Sequence, residues 1–250
     1  MLRERLMRVW HELRQPMSST PVADAVGLAG QQEQFQSIIE TGRALAAVDP
    51  RSVFDLIKLL GRSVQAQAMM EVVVHPVHDV RIPTLDAHGV LFPPNVPLTE
   101  AGESLLDLRV PIEEPCTLSL ARDVILPSPW HRDRLVERMT LIGRDRVAGP
   151  WTYDALNHWV EVWEPLGIGW VYGGHHSIAV GVLRGEGQLV SRYRYTIAPV
   201  YAHVVCDGRV YRRCFDQEAI APVGDMAMAA IFELGRLLLH YGMRAHDPSE

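Results

Sequence analysis

Two adjacent histidines, His175 and His176, follow two adjacent glycines, Gly173 and Gly174, and precede Ser177. Imidazole donates hydrogen bonds to anions and titrates close to neutral pH. Glycine lets a backbone turn sharply and approach a ligand, and a serine hydroxyl adds one more donor. The chemistry this group supports is anion binding, with His175 and His176 as the candidate catalytic pair. Gly173, Gly174, His176 and Ser177 form the candidate binding set, and Arg132 and Arg184 are the guanidinium groups expected to close on the ligand. Arg192 and Arg194 are further members of that clamp. Lys58 is the only lysine of the chain, so positive charge for an anion has to come from arginine, histidine or backbone N–H groups. Ser177 also has a plainer role open to it, as a helix N-cap. Asp154, Glu161, Glu164 and Asp207 are available carboxylates, but the spacing pairs none of them. His75 and His78 make an HxxH pair, yet Pro76 between them opposes a helix that would present both to a metal, and no metal site is assigned.

The elements that must hold these residues can be read from pattern. Residues 170–172 read as a strand, 173–174 as a tight turn, and a helix opens over 175–177 and runs from Ser177 to about Arg184, closed by Gly185 and Gly187. A helix start carries unpaired N–H groups and the positive end of the helix dipole, which suits phosphate. Residues 158–163 alternate as a strand, with Trp159, Glu161 and Trp163 on one face, and 168–172 return as the hairpin partner. Upstream, 117–126 reads as a strand and 130–142 as an arginine-rich helix. Downstream, 200–206 reads as β-structure, Asp207 and Gly208 as a hairpin turn into 209–215, and 222–245 as a last helix. Nearer the start, helices are expected over 1–14, over 31–47, and from Asp49 and Pro50 onward, with Asp as cap and Pro in the first turn. Residues 72–115 are proline-rich and read as an extended connection with one or two edge strands. The division expected is a helical region and connection over 1–115, an α+β core over 116–215, and a C-terminal helix over 216–250.

Hydrophobic residues make up 48% of the 250, enough for a packed core. A formal net charge of −6 gives no general drive toward DNA or an anionic membrane. Three cysteines without a CxxC pair fit a reducing compartment, and no apolar run approaches bilayer length, so the expected location is cytoplasmic. The expected partner is a small anionic ligand.

In the order of its elements, the stretch from 117 to 206 resembles the ParB/sulfiredoxin-like domain, also called the ParB-like nuclease domain. The similarity lies in a strand hairpin that feeds a G-x-(H/R)-R turn and a helix, here Gly174, His175, His176 and Ser177. The resemblance implies an α+β fold, a small mixed sheet flanked by an N-terminal helical region and a C-terminal helix. It also implies a nucleoside triphosphate with a divalent metal held at that turn. Gly174 takes the glycine position and His176 the basic position, while Ser177 replaces the usual arginine. Arg132, after Pro127 and Pro129, resembles the family's upstream proline–arginine segment. His175 stands where sulfiredoxin-like proteins carry a cysteine nucleophile, which removes sulfinic-acid reduction from the expectations. What remains is a nucleotide- or phosphate-binding protein, with phosphoryl transfer or hydrolysis as the reaction class if it is an enzyme. The alternatives are a non-catalytic interaction scaffold with a degenerate anion loop, or a DNA-associated protein.

Overall fold

The computed structural model describes residues 28–75 and 87–246. Within them the architecture is mixed α+β, with helices packed around several small sheets. The helix expected over 1–14, His78 of the HxxH pair and the side chain of His88 lie outside the described residues.

Helices α1 (Leu28–Val48) and α2 (Ser52–Val74) follow from their apolar spacing. On α1, Phe35, Ile39 and Ala46 are buried, and on α2 Val53, Ile57, Val64, Ala68 and Val72 form a stripe at intervals of four or seven. Asp49 accepts a hydrogen bond from Arg51 N–H at 3.0 Å, closing a turn ahead of the helix, but regular helix begins at Ser52 after Arg51, so Asp49 is not its cap and Pro50 is not its first helical residue. Two one-turn helices, α3 (Ala87–Val90) and α4 (Leu105–Leu108), lie in the stretch expected to be extended. Its one described strand is the edge strand β1 (Val110–Ile112). Ser104 and Asp107 form a capping box around α4, which is why the chain turns there instead of running straight.

The expected strand over 117–126 is two strands, β2 (Thr117–Ser119) and β3 (Ile125–Leu126). Asp123 interrupts it, because its carboxylate accepts from Ser119 N–H at 2.6 Å and closes a turn. After α5 (Arg132–Leu141), the hairpin β4 (Trp159–Glu164) and β5 (Ile168–Gly173) forms as expected and leads into α6 (His175–Arg184). Strands β6 (Gln188–Val190) and β7 (Tyr193–Thr196) were not anticipated. The run 200–206 is strand only at β8 (Val204–Cys206), since Pro199 opens a 3-10 turn over Ala198–Ala202. Then come β9 (Val210–Arg213), β10 (Ala219–Pro222) and α7 (Met226–His240). Pro222 closes β10, and α7 starts four residues later, where the Asp225 carboxylate accepts from Met228 N–H at 2.8 Å.

The main sheet runs β1-β7-β4-β5-β3, with β4–β5 and β1–β7 antiparallel and β4–β7 and β3–β5 parallel. β2 pairs with β6, and β8, β9 and β10 make a separate meander. Trp163, Ile168 and Trp170 point to the face covered by α1, α2 and α7. Val160, Val162 and Val171 point to the other, against Ile178 of α6, Leu118 and Trp151. Both faces of the hairpin are therefore dry except at Trp159 and Tyr172, beside the glycine turn. Gln65, buried on α2, donates its side-chain N–H to Ile125 O on β3 at 2.6 Å. Leu135 of α5 packs with Ala179 and Val180 of α6 and with Met69 and Val72 of α2, which lays α5 alongside α6.

Candidate functional site

The turn at 173–174 is narrow because a second loop crosses it. A methyl group on Gly173 would stand 2.6 Å from Asn157 O, and one on Gly174 would stand 2.4 Å from His158 Cδ2. Gly174 is also the N-cap of α6, in the left-handed conformation at φ 76°, which glycine adopts without strain. Ser177 is therefore not the cap. Its hydroxyl donates to Gly174 O at 3.0 Å and receives His158 Nε2 at 2.7 Å.

A serine and a histidine at that distance invite a nucleophile-and-base interpretation, but the proton order excludes it in this state. Asp154 N–H donates to His158 Nδ1 at 3.0 Å, so the imidazole proton sits on Nε2 and points at the serine. A general base would need a lone pair there. Trp151 stacks on His158 with 4.7 Å between ring centroids and donates Nε1–H to Ser177 O at 2.8 Å. Burial lowers the His158 pKa, with Asp154 partly opposing, and keeps this ring neutral.

The same logic applies to the two candidate histidines. Ser128 N–H donates to His175 Nδ1 at 2.9 Å, and His131 N–H donates to His176 Nε2 at 3.2 Å. Each ring thus carries its proton on the opposite nitrogen, Nε2 for His175 and Nδ1 for His176, as a fixed donor. Burial lowers His175 to about 4, helped by the neighbouring His176. Burial lowers His176 to about 4 as well, with the charges of Arg134, His131 and Arg138 acting the same way. A histidine that binds a metal normally donates its second nitrogen's proton to an acceptor. Here that second nitrogen accepts instead, which makes both rings hydrogen-bond donors and poor metal ligands. Among the described residues no group of three or more His, Cys, Asp or Glu is placed to hold a metal ion.

A cleft of about 730 Å³ opens at this end of α6. Its floor is Gly174, His175, His176 and Ser177. One wall is α5 with Trp130 ahead of it, giving Arg134, Glu137 and Arg138, and the other is the 148–158 loop with Trp151, Asp154 and Asn157. Arg134 and Arg138 are one helical turn apart and so share a face. Both line the cleft together with His176, whose pKa their charges help to lower.

The arginines named from sequence are placed elsewhere. Arg132 caps the C-terminal end of α2, donating to the carbonyls of Val72, Val73 and His75. Arg184 pairs with Asp145 at 2.9 Å and reaches Met139 O. Arg192 lies 4.3 Å above the Trp159 ring, and Arg194 is buried against Glu164 at 2.9 Å. None of the four lines the cleft. Of the carboxylates, Asp154 lines it, while Glu161 accepts from Arg109 and Trp163 inside the sheet. Arg134 and Arg138 were missed, although their spacing just after His131 was a readable signal. What the sequence could not show is that α5 lies against α6.

No helix among the described residues is long and apolar enough to cross a membrane. No curated protein and no solved structure matches the chain. Residues 21–244 match DUF6710, a family of unknown function, and by that extent of match the chain belongs to it.

Proposed function

We propose that this protein binds a phosphate-type anion, free or as part of a nucleotide, in the cleft at the start of α6. The observation that carries the proposal is the pair of histidines whose inner nitrogens are occupied by backbone N–H groups, leaving two neutral N–H donors beside Arg134 and Arg138. Neutral donors next to guanidinium groups suit an oxyanion better than proton abstraction, because the acceptor nitrogens of His175 and His176 are both occupied. If the cleft also supports phosphoryl transfer or hydrolysis, His175 and His176 serve as charge stabilisers, and Glu137 and Asp154 are the carboxylates on hand for a proton or a phosphate-borne divalent metal. The strand–glycine–helix unit of β5 and α6 also supports kinship with ParB/sulfiredoxin-like domains, although Ser177 stands where that family places arginine.

Titration calorimetry with inorganic triphosphate, with and without Mg²⁺, tests the site. Binding is expected, and Arg134→Gln together with Arg138→Gln should weaken it at least ~10-fold, since a charge-assisted hydrogen bond contributes about 1.5–3 kcal/mol. Arg184→Gln should leave it unchanged. No binding, or equal sensitivity to Arg184, would reject the site. A scaffold with a decayed anion loop is favoured by one fact, the diversion of Arg132 and Arg184 away from the turn. It predicts no heat with any phosphate.

A further inference from the structure

Trp130 is a large apolar side chain that remains 49% exposed on the wall of the cleft. Its position is nevertheless fixed. Pro129 precedes it, and the backbone on either side is pinned to the floor, Ser128 N–H to His175 at 2.9 Å and His131 N–H to His176 at 3.2 Å. The indole meets both imidazoles edge-to-face, at 5.4 Å from His175 and 4.7 Å from His176 between centroids. The two histidines that offer N–H donors therefore also brace this ring.

Three other exposed aromatic side chains are covered by a cation. Arg192 lies over Trp159 at 4.3 Å and over Tyr193 at 5.6 Å, and Arg213 lies over Phe215 at 5.1 Å. Among the described residues no guanidinium lies over Trp130, even though Arg134 and Arg138 share its cleft. Size points the same way. A cleft of about 730 Å³ falls in the range of sites that enclose whole organic ligands, far more than one phosphate group fills.

We infer, building on the anion-binding reading, that the ligand carries a planar ring as well as its anionic group, and that Trp130 is the surface on which the ring stacks. The anionic end sits on the His175 and His176 donors and between Arg134 and Arg138. Asp154 and Asn157 on the facing wall are the groups available to hydrogen-bond the ring's edge. Trp130 thereby sets specificity and takes no part in any bond-making step.

The test compares three probes by calorimetry on the full chain: inorganic triphosphate, which has the anion alone, adenosine, which has the ring alone, and adenosine triphosphate, which has both. The ring-bearing triphosphate should bind at least ~5-fold tighter than inorganic triphosphate, since stacking one base on an aromatic side chain contributes about that factor or more. Trp130→Ala should erase the difference and leave inorganic triphosphate binding unchanged, while Trp130→Phe, which keeps a ring, should retain most of it. Equal affinity for both triphosphates in the wild type, or a Trp130→Ala variant that still prefers the nucleotide, would overturn the inference and leave the anion site standing. Tighter binding of adenosine than of inorganic triphosphate would overturn the joint arrangement. Failure of all three probes to bind would overturn the anion site and the ring platform together.

Discussion

At the scale of single residues, His175 and His176 act through the nitrogens that are already occupied. Each ring is lowered to about 4 from an ordinary 6.5, so the unfolded chain takes up protons that the folded one refuses across that window. Stability is fully present above pH 6.5 and declines as pH falls toward 4. The linkage is on the order of 3 kcal/mol per histidine at the acid end, less where the two couple. Melting temperature should therefore drop steeply between pH 6.5 and 4.5. In the double variant His175→Asn, His176→Gln, whose amide oxygens can still accept from Ser128 and His131, that slope should flatten. An unchanged slope would mean the histidines are not held neutral. The residue types of this group were readable in the chain. Their proton positions were not, because the partners Ser128 and His131 lie 47 and 45 positions away and act through backbone atoms that carry no residue signature.

At the scale of elements, the site depends on how closely the 157–158 loop crosses the β5–α6 turn. Gly174 and Gly102 both have positive φ, 76° and 86°, but a methyl group on Gly102 meets nothing within 4 Å, whereas one on Gly174 collides with His158. Alanine at Gly102 should cost about 1 kcal/mol of backbone strain. At Gly174 the collision adds to that strain, and the loss should be at least twice as large, with anion binding reduced alongside it. Equal losses in chemical denaturation would show that the crossing is slack. The β4–β5 hairpin and α6 were legible because alternation and paired glycines are local signals. Strands β6 and β7 were not, because Tyr193–Thr196 becomes a strand only by pairing with β1, more than eighty positions earlier, and with β4. Asp123 shows the reverse case, a side chain that breaks a run whose composition alone reads as one strand.

At the scale of the whole molecule, the far end of the chain is tied to the sheet by one buried carboxylate. Glu164, 1% exposed, accepts from Arg194 Nη2 at 2.9 Å and from Ala245 N–H at 3.1 Å, and pairs with His246 Nδ1 at 3.0 Å. Burial alone would push its pKa up, but the bond and charge of His246, then Arg194 and Ala245, hold it below the ordinary value. Its contribution is present above the ordinary carboxylate range and is lost only as pH falls through the lowered value. Glu164→Gln leaves the Arg194 charge buried without a counter-ion, so the cost should be about 3–5 kcal/mol. Limited proteolysis should then cut beyond Tyr241 in the variant before it cuts the native chain, and equal cutting would show that the strap is held by other contacts. The helices α1, α2 and α7 were recognisable from their stripes, but nothing in those stripes announced that they share one core with the sheet.

Gln65 has one more effect. Strand β3 is the rim of the main sheet, only two residues long, and its Ile125 carbonyl already receives a donor from a neighbouring helix. A rim so short and already occupied offers a stray strand no ladder to join, which closes that border to amyloid-like stacking of one molecule on the next.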